Sequence, residues 1–351
     1  MIWGGLATLG GMLFLPLGQL LGWVAWIFLQ WTILVVRVTG SLPFASIELG
    51  RFDGFVLAAY YLTIVVIWRW QYLKPLLAPD RLFGQVNVSR AGLVLLGGIA
   101  LTLGSALPTL PDGRTHIEFL ATEAGEATLV RTANGARILI DAGNAPSQVL
   151  SALAERFPPW DRHLDVLVLT GNDEAHVNGA SAVVERYAVD AIIEPDAPAR
   201  RTPAYLQWNH LLDQKKLVSR RARAGLSFEL DGVKLEVLYP VDSGDNVSLR
   251  VTVGNQNILF ASALDKKDMP GFGLEAVDPA QVLVASPTLD PIVRARVNPS
   301  HVILFIGRRA RDVPGDAFLA QIADATILRT DESGTIEMII NGEKVELKTQ
   351  R

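Results

Sequence analysis

The sequence predicts a helical membrane segment followed by an α/β domain in which helices pack on β-sheets. Half of the 351 residues are hydrophobic, and the mean hydropathy is +0.28. Long apolar runs with few charges are confined to the first 107 residues, which favours membrane segments there. After residue 115, short strand patterns alternate with amphipathic helix patterns, which is typical of helices covering sheets. The expected organisation is a membrane segment at 1–107, a Pro- and Gly-containing linker at 108–114 and a globular domain at 115–351.

Four apolar runs in the first segment are candidates for membrane-spanning helices, of which three or four are expected to cross. A span needs about 20 apolar residues. Six of the eight tryptophans fall within the first 70 residues, as aromatic belts at membrane interfaces predict. A buried helical core is the alternative, but four such runs exceed what a small core needs. The runs are 2–15, 18–36, 55–70 and 91–107.

Basic residues between the third and fourth runs set the expected orientation. Arg69, Lys74, Arg81 and Arg90 stand there beside one acidic residue, Asp80. Basic loops stay on the cytoplasmic side, so the fourth run would lead outwards. We therefore expect the inner (cytoplasmic) membrane as the location, membrane lipid as a partner and an extracytoplasmic globular domain. The early apolar start lacks the basic region of a signal peptide and indicates the end of a larger membrane domain.

Charge differs sharply between the two parts of the chain. Residues 1–107 hold six basic and three acidic residues, which leaves 26 basic and 33 acidic residues for 108–351. A domain with a net charge of −7 does not predict a continuous basic stripe for nucleic acid. The absence of cysteine excludes disulfides and thiolate metal sites. Local basic clusters are the candidate DNA contacts, with solvated turns as the alternative: Arg200–Arg201, Arg220–Arg221–Arg223 and Arg308–Arg309–Arg311.

Strand and helix patterns follow one another through the globular domain. Two hairpin turns are indicated, at Asn134-Gly135 and Asp231-Gly232. Helices are predicted at 148–157, from 180 to about 187, and within a polar insert at 195–225. Strands are predicted at 116–120, 127–132, 136–141, 164–169, 191–194, 226–240 (a hairpin), 245–254, 258–262, 282–285, 300–307 and within the tail at 327–348.

The most informative stretch is 164–179, LDVLVLTGNDEAHVNG. Its apolar run ends in a polar loop, and a helix pattern follows. A strand, a polar loop and a helix N-terminus together can hold a metal or an anion. Asp173 and His176 are the candidate metal-ligating residues. The alternative for this pair is a hydrogen bond or a helix cap.

This loop resembles that of the metallo-β-lactamase superfamily and of the external domain of ComEC-type DNA-uptake channels, which reads roughly T-H-x-D-x-D-H-x-G-G. Here Gly171 replaces the first histidine and Ala175 the second aspartate, so Asp173 and His176 remain. The resemblance covers nearly all of 115–351 in order and spacing. It implies an αββα sandwich.

The other motifs of the resemblance keep their order and spacing, but the metal-ligand residues of the family are replaced. The first loop, about LDVGQGDA in the family, is 120–127 here and keeps Gly125. The family's "TGD" has become 262–264, and Asp265 comes one residue late, which turns its side chain to the other face. Ser286, Pro287 and Thr288 directly follow the strand at 282–285, where the family has two histidines. The ending at 329–331, Arg-Thr-Asp, matches.

The remaining histidines and one aspartate are interpreted as structural. Asp141 is usually a structural residue in the superfamily. His116 and His301 begin strands, and His163 precedes the strand predicted at 164–169, at the end away from the loop. His210 lies on the predicted helix of the insert, exposed or stacked on a tryptophan.

The resemblance implies a membrane-anchored protein of DNA uptake, with single-stranded DNA as a partner. In the family the membrane part forms the channel, and the intact external domain is thought to hydrolyse the other strand. Two-metal hydrolysis needs several histidine and carboxylate ligands, and a catalytic zinc typically needs three. We therefore expect lost hydrolase activity and no cofactor, with zinc or manganese bound only if Asp173 and His176 still function.

Two alternatives stay open. One is an active metal-dependent hydrolase or nuclease with relocated ligands, which near-stoichiometric metal would favour. The other is a non-enzymatic scaffold for a separately encoded N-terminal membrane subunit, which a neighbouring reading frame would favour.

Overall fold

The computed structural model divides the chain into two compact units, Met1–Glu48 and Leu49–Arg351. It describes residues 109–351 except 159–160, 199–200, 243, 265–266, 274–276, 308–317 and 319–323, together with thirteen separate positions between 8 and 33. In the first unit the described positions are helical apart from Phe14. Most of the predicted membrane segment therefore lies outside the described residues. No helix among the described residues is both long enough and apolar enough to cross a bilayer.

The larger unit contains an eight-stranded sheet, here called sheet 1, in the order β15-β14-β1-β2-β3-β4-β5-β6. From β15 to β3 the neighbours are antiparallel, and from β3 to β6 they are parallel. Its strands are β1 (Thr115–Phe119), β2 (Thr128–Arg131), β3 (Arg137–Ile140), β4 (His163–Val168), β5 (Ala188–Glu194), β6 (Ser219–Arg221), β14 (Ile336–Asn341) and β15 (Lys344–Thr349).

A second sheet of seven strands, sheet 2, has the order β13-β12-β11-β10-β9-β8-β7. It is antiparallel from β7 to β10 and parallel from β10 to β13. Its strands are β7 (Ser227–Leu230), β8 (Val233–Tyr239), β9 (Ser248–Val253), β10 (Gln256–Phe260), β11 (Val282–Ala285), β12 (His301–Leu304) and β13 (Thr326–Arg329).

Crossover helices connect four of the parallel strand pairs, β3–β4, β4–β5, β5–β6 and β11–β12, as parallel strands require. Three of them cover the outer face of sheet 1, and one lies against sheet 2. The helices are α1 (Pro146–Arg156), α2 (Glu174–Arg186), α3 (Pro203–Lys215), α4 (Pro291–Val297) and the short α5 (Thr330–Ser333).

Three apolar layers hold the domain together. The central layer lies between the sheets and includes Phe119, Val168 and Phe260. A second layer joins sheet 1 to α1–α3, with Trp208 fully buried in it, and a third covers the outer face of sheet 2. The predicted α/β domain with αββα layers is confirmed.

Several local predictions differ from the structure. Strand β6 lies within the predicted helical insert at 195–225, and helix α4 was not predicted. Helix α2 begins at Glu174, six residues before the predicted start at 180, because Asp173 caps it and the polar residues that follow are helical. The connection between β2 and β3 is longer than a two-residue hairpin: Thr132 N donates to Ala136 O, and only Gly135 has positive φ there. The predicted Asp231-Gly232 turn does have positive φ at both residues.

Candidate functional site

The site lies where β3 and β4 end and helix α2 begins. Asp141 follows β3 directly and is buried. Its carboxylate accepts hydrogen bonds from Thr170 N at 2.8 Å and Thr170 Oγ1 at 2.6 Å. Asp141 therefore fixes the backbone at the start of the 171–173 loop, and its predicted structural role is confirmed.

Asp173 and His176 are brought together by the first turn of α2. Asp173 is the N-cap, and its Oδ1 accepts from Ala175 N at 2.9 Å. The same oxygen lies 2.6 Å from His176 Nδ1. The alternative interpretation of this pair, a hydrogen bond and a helix cap, is what the structure shows.

Gly171 allows the His176 ring to lie where a side chain at 171 would begin. A β-carbon built on Gly171 would be 2.6 Å from both Cε1 and Nδ1 of His176. That distance is far below van der Waals contact, so a larger residue at 171 would displace the imidazole. The absence of a side chain at Gly171 thus leaves the space that the imidazole of His176 occupies.

Glu126 is the site residue that sequence reasoning missed. It precedes β2 in the first loop, and Ser262 Oγ, just beyond β10, donates a hydrogen bond to its Oε2. This contact joins the two sheets beside the His176 loop. The family pattern LDVGQGDA has an aspartate at this position, so the acidic replacement Glu126 was the available signal.

Three carboxylates act on one imidazole in this cluster. Burial acts to lower the pKa of His176, but the carboxylates of Asp141, Asp173 and Glu126 outweigh it and raise that pKa to about 9. Burial raises the pKa of Glu126 to about 7, against the Ser262 hydrogen bond. Burial likewise raises the pKa of Asp141. For Asp173, burial opposes the hydrogen bond from His176, and the net result is a lowered pKa. His176 therefore stays protonated at neutral pH.

The protonated state of His176 predicts a pH dependence of stability. A histidine with a raised folded-state pKa stabilises fully below its unfolded value, 6.5, and loses that contribution as pH rises through about 9. We expect the free energy of unfolding to fall by about 3 kcal/mol over this range, at about 1.4 kcal/mol per pKa unit, measured by urea denaturation at stepped pH. His176→Gln should flatten the profile, whereas His210→Gln, at an exposed histidine, should not. An unchanged slope in His176→Gln would contradict the assignment.

Further contacts attach the loop to sheet 2 and to the loop after β5. Gly171 and Asn246 form an isolated antiparallel bridge, and Val247 N donates to Thr170 O at 2.7 Å. Asn172 Nδ2 donates to Asp196 O at 2.6 Å. The backbone of the loop is therefore held from both sheets.

The other predicted positions that the structure describes do not join the cluster. Asp265 lies outside the described residues. After β11, Ser286 Oγ and Thr288 Oγ1 hydrogen-bond to each other at 2.6 Å. His116 contacts Glu337 and Asp112, and His210 is exposed beside Gln214.

The predicted basic clusters are partly neutralised by acidic neighbours. Arg221 Nη1 lies 2.9 Å from Glu194 Oε1, and Arg223 Nη2 lies 2.7 Å from Asp196 Oδ1. Arg220 is exposed. The cluster at 308–311 lies outside the described residues, so the candidate DNA contacts stay predictions.

The donor set does not fit a two-metal centre. Of the four loop positions, Gly171 and Ala175 supply no ligand atom, and Asp173 and His176 are hydrogen-bonded to each other. Within the described residues, three His, Asp or Glu ligand atoms come within 4.8 Å of one another only in a group at the far end of β4. No reaction step through a metal follows from the loop as it stands.

No protein-family model matches the chain, and no curated protein matches it in sequence. Among solved structures it is similar to the metallo-beta-lactamase fold protein YhfI from Bacillus subtilis, with 12% identity over 64% of this chain and 99% of that chain (TM-score 0.44). It is also similar to CmlA, a diiron beta-hydroxylase from Streptomyces venezuelae (11%, 65% and 54%, 0.45), and to a long form RNase Z from yeast (13%, 67% and 42%, 0.43). The chain spans about half the length of CmlA and less of the RNase Z.

Likenesses at this level concern the fold alone. The layers and strand orders described above establish an αββα sandwich of two mixed sheets.

Proposed function

We propose that this chain is a ComEC-type membrane protein of DNA uptake whose metallo-β-lactamase-like domain has lost hydrolase activity. In this proposal residues 1–107 anchor it in the inner membrane, the globular domain is extracytoplasmic, and single-stranded DNA passes through the membrane part. Membrane lipid, single-stranded DNA and a separately encoded membrane subunit are its proposed partners. The support is the order of sequence landmarks from 115 to 351, together with the geometry of the loop.

One observation carries the loss of activity: the imidazole of His176 lies against Gly171 and is hydrogen-bonded to Asp173. In this position it closes the loop onto itself. Clamping a phosphate between two ions requires several free ligand side chains on both sheets. On the sheet 2 side, Ser262 Oγ donates a hydrogen bond to Glu126, and Ser286 Oγ is hydrogen-bonded to Thr288 Oγ1. The domain would then act as a folded platform at the channel mouth.

A second candidate, a metal-dependent hydrolase with relocated ligands, is favoured by Glu126. Three carboxylates around a single imidazole make the site acidic, and burial raises the pKa of Glu126 to about 7. A cation bound by the Glu126 carboxylate would relieve that cost, and His176 would have to lose its proton to join it as a ligand. This candidate requires the His176 ring to leave Asp173 and Gly171.

Metal content of the full-length chain separates the two candidates. After dialysis against zinc or manganese, we expect no equivalent of metal that depends on His176. The double variant Gly171→His and Ala175→Asp restores the two missing ligand positions and displaces the imidazole, so it should gain metal. An equivalent present in the wild type, lost in His176→Ala and kept in His163→Ala would establish the second candidate.

The uptake role has its own test. In cells that carry this chain, its deletion should abolish transformation by added DNA. Complementation with His176→Ala should restore transformation to the wild-type frequency, because the loop performs no hydrolysis. Unimpaired transformation in the deletion strain would refute the uptake role. Failure of His176→Ala to complement would refute the proposal that the loop performs no hydrolysis.

A further inference from the structure

A second group of metal-ligating side chains lies at the end of β4 away from the candidate site. His163 begins β4, Asp165 follows it, and Asp190 lies in the adjacent strand β5. One ligand atom from each residue lies within 4.8 Å of the other two. His163 Nε2 is 3.0 Å from Asp190 Oδ2.

The register of the two strands brings the carboxylates together. Leu164 pairs with Val189 and Val166 with Ala191, so Asp165 and Asp190 occupy the same level of neighbouring parallel strands. Like charges at adjacent cross-strand positions repel each other.

No lysine or arginine forms an ion pair with either carboxylate within the described part of the chain. Asp190 forms an ion pair there only with His163. Asp165 forms none, although its Oδ2 accepts a hydrogen bond from the backbone N of Arg137 at 2.8 Å. The Arg137 guanidinium lies nearby, but it donates to His163 O at 3.1 Å and pairs with Asp161, so neither carboxylate of the group is neutralised by it directly.

We propose that His163, Asp165 and Asp190 bind a divalent transition metal of the zinc type. Imidazole with carboxylates suits zinc, whereas magnesium and calcium prefer oxygen ligands alone. Zinc bonds of 2.0–2.2 Å place two donors at most about 4.4 Å apart, so small side-chain rotations bring the three ligands onto one ion. Water would fill the fourth position.

The surroundings allow an ion to enter without opening the fold. The side chains of His163 and Asp190 are 41% and 66% exposed. A bound ion would join β4 to β5 at the edge of sheet 1 opposite Asp173 and His176. The site is therefore independent of the inactive loop and of any role in DNA uptake, and it would stabilise the fold by mass action.

Zinc titration of the full-length chain, followed by calorimetry, tests the site. We expect one equivalent in the wild type and its loss in both His163→Ala and Asp190→Asn. These two residues are partly exposed, so both variants should fold, which circular dichroism checks. His210→Ala, at an exposed histidine with no acidic partner among the described residues, and His176→Ala should each keep the equivalent.

Histidine-selective NMR adds a direct readout, because the chain has only five histidines. Zinc should shift the ring resonances of His163 and leave those of His210 in place. Absence of a zinc equivalent, or its persistence in His163→Ala, would overturn this proposal alone. Loss of the zinc equivalent in His176→Ala instead would overturn this proposal. It would also overturn the proposal that the loop with Asp173 and His176 is inactive.

Discussion

Gly179→Ala is expected to lower the free energy of unfolding by at least about 3 kcal/mol. Gly179 lies in α2, one turn beyond His176, and its N donates to Gly143 O at 3.0 Å. A β-carbon there would lie 2.0 Å from Ala142 O and 2.6 Å from Gly143 O. Both atoms are backbone, so the clash is relieved only if α2 moves away from the loop that follows β3.

The sign of the effect identifies its cause. In a helix interior without such contact, glycine to alanine stabilises by up to about 1 kcal/mol. Gly273→Ala, outside any helix, is the control for an unhindered β-carbon, because a β-carbon there meets nothing within 4 Å, and it should change stability by less than about 0.5 kcal/mol. Urea denaturation of both variants measures the difference. A stabilised Gly179→Ala would show that α2 does not pack on this loop.

Glu118→Ala should cost about 3–5 kcal/mol, the range for breaking a buried ion pair by removing one partner. The Glu118 side chain is only 6% exposed and lies between two arginines. Arg131 donates to its Oε1 from Nη2 at 2.9 Å and from Nε at 3.1 Å. Arg156 of α1 donates to its Oε2. Without this carboxylate, the guanidinium groups of Arg131 and Arg156 stay largely buried and lose the acceptor that they share.

An exposed ion pair supplies the comparison. Glu346→Ala removes a carboxylate that pairs with Lys348 on the surface, and its effect should stay below about 1 kcal/mol. Added salt should weaken the Glu346 contribution more than that of Glu118, because burial shields the latter from screening. Equal losses in the two variants, measured by denaturation, would contradict the buried network.

Sequence patterns predicted most strands because most strands contain an apolar run or alternation, whereas β6, with the sequence SRR, has none and was missed. Strand β11 matches its predicted bounds, and β7 and β8 form the predicted hairpin. The start of α2 was predicted too late because its first two turns are rich in polar residues. The side chain of Asp173, which caps the helix, decides the start, and the apolar period becomes visible only from Val177 onward.

Only those residues of the candidate site that lie close together in the sequence could be predicted. Asp173 and His176 are three residues apart, so their hydrogen bond follows from one helical turn. Glu126 and Ser262 come from distant parts of the chain, and only the packing of the two sheets brings them together. The raised pKa of His176 depends on that packing, since Glu126 and Asp141 both contribute to it. No local pattern contains this information.

The position of β1 has a consequence for how the domain is made. β1 lies between β2, its neighbour in sequence, and β14, so that Thr115 pairs with Ile340 and Phe119 with Ile336. A nascent chain leaving the ribosome cannot cover the second edge of β1 until nearly all of the domain has been synthesised. Such distant pairing folds slowly and leaves a strand edge open to other chains meanwhile. A chain truncated before β14 would keep one edge of β1 unpaired and would be prone to aggregate. Point variants are therefore the suitable probes of the site.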